Sequence, residues 1–436
     1  MRTVVVREHA RLTTDHVAPS LDQATVSTSA FEWLCALSAR FRATGAALLQ
    51  VENRCWLRLD SHVGVIETPC GTVLEILPKH TPSDSEDAAE SSRRLLIRML
   101  ASALDLPVRT AEAAAIAMFR HSLLEWVMQQ FVSALDHLVK RGLRFDYQRV
   151  EEEERYVRGQ LDTVRQMRQA PGRAHVFPIR HDLFLPDRPE NRLLKSALAL
   201  VCATTARADT WRTARELAGM LADLPHSSDL QRDFRAWRDD RLMAHYRPIK
   251  PWCELVLGQH MPLTVRGAVN GISLLFPMER LFERYVEVSL PKQLPLRYTL
   301  KRQARRASLC RHDGAEMFQL RPDLLLCDGN RNVLVMDAKW KLLDAADNAG
   351  KYGLSQQDLY QMFAYGHKYL DGTGDLVLVY PKTQHFGRIL PRFSYSADLH
   401  LWVTPFDLEA GRLDMPPDLM QSGVEVLRAD VGDPTG

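Results

Sequence analysis

The chain has 436 residues, 46% hydrophobic and 25% charged, with 56 Lys and Arg against 54 Asp and Glu for a formal net charge of +2. That length allows two or three domains with sizeable cores. The near-neutral balance gives no global attraction to nucleic acid, so any such site must be a local patch. The opening MRTVVVREHARLTT lacks the long apolar core of a signal peptide. No run of about 18 apolar residues reads as a membrane span, so no membrane association is expected. Cys35, Cys55, Cys70, Cys202, Cys253, Cys310 and Cys327 are scattered without C-x-x-C spacing. They read as thiols in a reducing cytoplasm and argue against an iron–sulfur quartet. G-x-x-x-x-G-K-[ST] is absent, so the chain carries no recognisable P-loop.

In chain order, residues 1–80 are expected to form a β-rich N-terminal domain. A strand is expected at 3–6, and a helix at 29–41 with Phe31, Leu34, Cys35 and Leu37 inward. A meander of strands at 46–51, 56–59, 63–67 and 72–77 follows. Residues 81–91, TPSDSEDAAES, read as a polar linker. Residues 92–270 are expected to be a mainly helical middle region that docks a partner. Helical spacing of apolar residues occurs at 95–104, 111–139, 192–205, 213–224 and 230–244, with an extended segment near 170–185. The acidic run Glu151 to Glu154 reads as a solvated helix face. RGQLD at 158–162 is either a functional loop or the packed terminus of a helix.

Residues 271–436 form the third expected domain. Phe276-Pro277-Met278 opens a helix with Leu281, Phe282, Tyr285 and Val286 inward and Glu279, Glu283 and Glu287 in one row. Glu283 borders the apolar face and is either a third acid of a site or a surface partner of Arg280 or Arg284. A basic stretch follows, with Arg297, Lys301, Arg302, Arg305, Arg306 and Arg311 before the first acid at Asp313. It suits phosphate contacts or a solvated edge. Ser355 opens a capping box and a helix to about residue 370. Leu359, Met362, Phe363 and Gly366 are expected towards the core. Gln361 and Tyr365, at i and i+4 on another stripe, either hold a DNA strand and the waters of a metal or form a plain helix surface. Strands at 375–380 and 400–403 complete an α/β core with a mixed sheet. The chain as a whole reads as multidomain α+β.

Within that third domain, RPDLLLCDGNRNVLVMDAKWK at 321–341 reads as a β-hairpin turning at Asp328-Gly329-Asn330. Asp323 starts one strand and Asp337 nearly ends the other, so an antiparallel pairing brings the two acids together. Lys339 follows Asp337 by two residues and shares its face. Two adjacent carboxylates repel unless a cation lies between them, and hard oxygen ligands with open water positions suit Mg²⁺. A lysine beside that pair can orient a water or offset charge on a phosphate. Pro322-Asp323 followed by Asp337-Ala338-Lys339 is the PD-(D/E)xK nuclease pattern of restriction-endonuclease-like domains; a decorated hairpin is the bland alternative.

With these segments placed, the chain resembles the McrC family, the nuclease subunit of McrBC-type, GTP-dependent systems restricting DNA that carries 5-methylcytosine. The resemblance runs nearly end to end, through HVGVIETPCGTVLEILPKH (62–80), RYVRGQLD (155–162), NRLLKSAL (191–198), MERLFERYV (278–286), RPDLLL, DAKWK and DLYQMFAYGHKY (358–369). DAKWK with Q-x-x-x-Y downstream is its most specific combination. The resemblance implies Asp323 and Asp337 as Mg²⁺ ligands, the Ala338 carbonyl able to complete the site, Lys339 as the catalytic lysine and Glu283 as a helical acid. Gln361, Tyr365, Arg302, Arg305 and Arg306 would then contact DNA. It further implies a partner of McrB type, an AAA+ GTPase ring that binds the GTP, loads on modified double-stranded DNA and has its hydrolysis stimulated by this chain. Dimerisation through the nuclease domain is a further expectation. Two other classes stay open: a RecB-like repair nuclease with another motor, and a non-catalytic adaptor that only stimulates a ring.

Overall fold

The computed structural model describes residues 2–42, 48–80, 86–106, 122–258 and 274–416. The expected elements at 46–47, 81–85 and 111–121, and the opening of the third domain at Gly271, lie outside the described residues. The chain divides into two compact units, one drawn from Met1–Leu123 and Leu275–Gly436, the other from Leu124–Met261.

The first stretch contains β1 (Arg2–Arg7), β2 (Arg11–Thr13), β3 (Gln23–Thr25), α1 (Thr28–Arg42), β4 (Leu49–Val51), β5 (Trp56–Leu59), β6 (His62–Glu67), β7 (Thr72–Leu77) and α2 (Glu86–Ala103). These strands form two sheets rather than one meander, β3-β2-β5-β4 and a second in which β7 lies between β1 and β6. Every residue of β7 is buried, and β1 pairs with it in parallel. The buried Glu75 of β7 is held by Arg93 of α2 through two hydrogen bonds of 2.9 and 2.7 Å. Expected linker residues 86–91 are the first turns of α2, where acids oppose the positive end of the helix dipole.

The second unit contains α3 (Leu123–Arg141), β8 (Asp146–Glu154), β9 (Gln160–Leu161), α4 (Thr163–Met167), β10 (Phe177–Leu185), α5 (Pro189–Thr204), α6 (Ala208–Met220), α7 (Leu230–Ala236) and α8 (Lys250–Val256). The acidic run is strand, not helix. Glu151 to Glu154 lie in β8, which pairs antiparallel with β10 over nine residues. Arg180 pairs with Glu151 across the ribbon, His181 stands 3.2 Å from Glu152, and Arg173 pairs with Glu153. Cross-strand charges thus take the place of a buried face. At the base of the ribbon the exposed rings of Phe145, Tyr147 and Phe184 cluster, with centroids 5.2 and 4.9 Å apart. RGQLD serves packing: Asp162 caps α4 by accepting from Arg165 N–H at 3.0 Å. Gly159 has φ +73° and lies so close to β10 that a Cβ would come within 2.4 Å of the Arg180 carbonyl oxygen. The helix expected over 230–244 ends at Ala236, and a 3-10 turn follows at Arg241–Tyr246.

The last stretch contains β11 (Leu274–Pro277), which adds to β6, then α9 (Met278–Ser289), β12 (Tyr298–Arg302), β13 (Ala307–His312), β14 (Ala315–Leu320), β15 (Leu324–Asp328), β16 (Arg331–Ala338), α10 (Gln356–Tyr369), β17 (Gly374–Pro381), β18 (Phe393–Ser394), β19 (Leu399–Asp407) and β20 (Arg412–Leu413). A seven-stranded mixed sheet runs β12-β15-β16-β17-β19-β18, with β20 paired to β19. The hairpin strands are antiparallel, whereas β16, β17 and β19 run parallel to one another. Period-two alternation turns Leu325, Val335, Leu376, Leu378 and Leu401 towards Met362, Tyr365 and Tyr369 of α10. Gly366 lets α10 approach, because a Cβ there would meet Leu399 at 2.8 Å. Phe282 and Tyr285 of α9 pack edge-on against Phe406 of β19. Those residues build a mixed α/β layer structure with the hairpin inside it.

Candidate functional site

The hairpin forms as its turn residues require. Asp328 pairs with Arg331 around Gly329, whose φ is +59°. Leu324 faces Met336, so Asp323 falls beside the end of β16. Its Oδ2 accepts from the Ala338 N–H at 2.8 Å, and its own carbonyl accepts from Gln303 N–H at 2.9 Å. Asp337 is 1% exposed, and the Lys339 ammonium stands 2.5 Å from its Oδ2. The structure therefore brings Asp323, Asp337 and Lys339 together. Burial, with Asp337 and Glu283 adding repulsion, pushes Asp323 up to about 8. Burial also raises Asp337, against the pull of Lys339. For Lys339 burial disfavours the charge, but Asp337, Asp323 and Asp358 together outweigh it and the ammonium is held above its ordinary range.

Helix α10 fixes the backbone around these acids. The Tyr365 hydroxyl donates to the Arg321 carbonyl at 2.9 Å and accepts from Gln361 Nε2 at 2.7 Å. Tyr369 donates to the carbonyls of Ala304 at 2.7 Å and Leu320 at 3.0 Å. The tyrosines thus clamp the segment leading into Asp323. Tyr365 is 3% exposed, whereas Phe363, expected inward, is 44% exposed and packs edge-on against His367 and Tyr395. Met362 and Gly366 are buried and Leu359 packs against the core as expected, but Tyr365 and Tyr369 take the place of Phe363, because tyrosine buries its ring while its hydroxyl finds backbone acceptors. Asp358, which the sequence places in the cap and on the stripe of Gln361 and Tyr365, carries charge that raises both Asp337 and Lys339, and it accepts from the Tyr380 hydroxyl at 3.3 Å.

A cleft of about 800 Å³ is lined by Arg280, Glu283, Arg284, Glu287, Arg302, Gln303, Arg305 and Arg321, of which Gln303 meets the Asp323 carbonyl through its N–H. Glu283 is half-buried there and accepts from Gln303 Nε2 at 3.0 Å, rather than pairing with Arg280 or Arg284. The arginine pairing falls to the buried Glu287 instead, which meets Arg284 at 2.6 Å and also Arg302. Of the three arginines singled out in sequence, Arg302 lines the cleft while paired, Arg305 lines it, and the exposed Arg306 is outside the lining. Arg280 and Arg321 were missed. The signal was available for Arg321, which immediately precedes Pro322-Asp323.

Two inset carboxylates that burial and neighbouring acids drive towards their neutral forms are a donor set a divalent cation would relieve. Among the described residues no third His, Cys, Asp or Glu side chain closes on them to complete a protein cage. A pair of carboxylates is itself a donor set of the kind Mg²⁺ uses, since that ion binds through one or two carboxylates and keeps several water positions. The residues present fit the ion.

Fold and site define a mixed α/β protein carrying a carboxylate–lysine constellation on a sheet hairpin. The chain belongs to the family described as McrBC 5-methylcytosine restriction system component, whose model matches residues 57–381. Its fold is similar to that of a chain in the refined half-complex from a tetradecameric assembly of Thermococcus gammatolerans McrB AAA+ hexamers with bound McrC. That match has a TM-score of 0.70 and 19% identity, over 96% of this chain and 97% of that one. A chain of the T. gammatolerans McrBC complex matches with a TM-score of 0.52 and 20% identity, over 66% of this chain and 87% of that one. No curated protein matches the chain. No helix among the described residues is long and apolar enough to cross a membrane.

Proposed function

We propose that this chain is the nuclease subunit of a modification-dependent restriction system, cutting DNA phosphodiester bonds with Mg²⁺ at Asp323, Asp337 and Lys339. The observation that carries this reading is the convergence of the three side chains, with Asp323 tied to the Ala338 amide and Lys339 2.5 Å from Asp337. Asp323 and Asp337 hold the ion, and the Ala338 carbonyl is available to complete its ligand set. Bound there, Mg²⁺ would neutralise charge on the scissile phosphate and acidify a water. Lys339, kept protonated by the acids, acts as a fixed positive charge that orients the attacking water and offsets transition-state charge; it is not a base. Glu283 adds negative charge at the mouth of the cleft. Gln361 and Tyr365 hold the hairpin entry in place, and the cleft arginines Arg280, Arg305 and Arg321 meet phosphates. In-line attack leaves a 5′-phosphate and a 3′-hydroxyl.

One solved structure of similar fold contains McrB AAA+ hexamers with bound McrC. By extension this chain works with an AAA+ GTPase ring, which binds the GTP and whose turnover it stimulates. The exposed aromatic residues of the β8–β10 ribbon support partner docking through the middle unit, since apolar patches of that kind mark interfaces. Substitution tests the chemistry. Asp337→Ala should lower cleavage by at least about a hundredfold while ring stimulation persists, and Lys339→Ala should cut as poorly with metal affinity kept. Near-normal Mg²⁺-dependent cleavage by purified Asp337→Ala complexes would sink the assignment.

A further inference from the structure

Nothing in the first 80 residues reads as part of a site, yet the chain just past β1 reaches the hairpin motif. Glu8 is 1% exposed. Its Oε1 accepts from Trp340 Nε1 at 2.7 Å and from the Lys79 backbone N–H at 2.8 Å, and its Oε2 accepts from the Ser61 hydroxyl at 3.2 Å. The Glu8 N–H itself donates to the Leu77 carbonyl at 2.9 Å. Withdrawing an ionisable group from water is costly, and burial pushes this carboxyl up to about 7. Such a group persists where its hydrogen bonds hold elements together.

The element it holds matters. Lys339 donates its N–H to the Val379 carbonyl at 2.9 Å, and the chain then turns back, with Lys341 N–H on the Lys339 carbonyl at 3.1 Å. Past Lys339 the next anchor is the side chain of Trp340, which points to the opposite face from Asp337 and Lys339. There its ring lies 5.3 Å from Phe282, the neighbour of Glu283. The Ser61 carbonyl, beside the hydroxyl that meets Glu8, accepts from the N–H of Met278, the first residue of α9, at 3.0 Å.

We infer that Glu8 is a positioning residue for the hairpin site: its carboxyl group anchors the Trp340 indole and thereby fixes the backbone from which Lys339 reaches Asp337. The inference rests on the nuclease reading above. Glu8 touches neither DNA nor metal and acts through Trp340.

The test uses the full chain assembled with its ring partner, GTP and Mg²⁺, following single-turnover cleavage of a duplex bearing 5-methylcytosine. Compared are the unsubstituted chain, Glu8→Ala, Glu8→Gln and Trp340→Phe. The indole N–H resonance of Trp340, recognised by its loss in Trp340→Phe, reports the contact independently of cutting. Glu8→Ala and Trp340→Phe should slow cleavage by about ten- to a hundredfold, the scale of a catalytic group misplaced by about an ångström. DNA affinity measured in Ca²⁺ should not change. Glu8→Gln should cut close to the unsubstituted rate, because its amide oxygen can accept both N–H groups while its NH₂ faces the Ser61 oxygen. Equal rates for Glu8→Ala and the unsubstituted chain would overturn the inference. So would a Glu8→Gln as slow as Glu8→Ala, which would assign the effect to charge. If Glu8→Ala does not fold, Trp340→Phe, which keeps a ring against Phe282, decides alone. An unsubstituted complex that never cuts defeats the nuclease reading, whereas an indole resonance unmoved by Glu8→Ala defeats the anchoring whatever the activity.

Discussion

Residues of ordinary type acquire their chemistry here from burial. Asp337 and Glu8 are each 1% exposed, but Asp337 has an ammonium beside it while Glu8 has neutral donors at hydrogen-bond distance. The difference has a consequence for pH. Glu8 is raised from 4.5 to about 7, first by burial and against the hydrogen bonds from Lys79, Trp340 and Ser61. The folded chain therefore holds this proton more tightly than the unfolded chain. Its contribution to stability is complete below about pH 4.5 and is lost as pH rises through about 7. His9 at 3.9 Å and Lys79 also face the carboxyl, but both remain in Glu8→Gln, where the amide cannot ionise. Denaturant titrations should show a flatter fall of stability between about pH 5 and 7.5 in Glu8→Gln than in the unsubstituted chain. Identical slopes would contradict the shift. The acid pair and Lys339 were legible because hairpin turn and alternation fix their faces locally. Glu8 was not, since its partner Trp340 lies 332 residues away and no local pattern records such a contact.

At the scale of elements, α9 and the strands after it assemble a basic cleft that no single segment encodes. Arg302 is partly neutralised by Glu287, so Arg280, Arg305 and Arg321 are the better candidates for phosphate contacts in the proposed complex. Changing these three to Ala should reduce the slope of log affinity against log salt by about 0.9 for each duplex phosphate left without its arginine. The same change at Arg306, outside the cleft, should alter it least. A slope left intact by the triple substitution would return the cleft to ordinary surface. The dense basic stretch was visible in sequence, but its division into paired and cleft-lining arginines depends on where α9 places Glu287. In the β8–β10 ribbon, β10 answers to the extended segment expected near 170–185, but β8 was misread for a related reason. Asp146–Glu154 has no apolar alternation to mark a strand, and its stabilising charges come from residues some 20 to 30 positions on. In α10 Met362 and Gly366 face inward as read, but Phe363 does not, because tyrosines that hydrogen-bond backbone carbonyls outrank a phenylalanine for the inner face.

For the whole molecule, the first and last stretches of sequence belong to one compact unit, and the middle of the chain forms another with the exposed ribbon. A chain with a proposed nuclease site, no P-loop and an exposed aromatic surface calls for control from outside. Under the proposed function a GTP-hydrolysing ring licenses the cut, and chemistry and coupling occupy different surfaces. The most direct measurement is a two-component titration that follows GTP turnover and strand scission together on duplex DNA bearing 5-methylcytosine. The chain alone should cut poorly, and ring plus GTP should switch cleavage on where a non-hydrolysable analogue does not. Asp337→Ala should abolish scission yet still raise the ring's GTPase rate. Efficient cutting by the lone chain, or a GTPase rate unmoved by its addition, would contradict the proposed function.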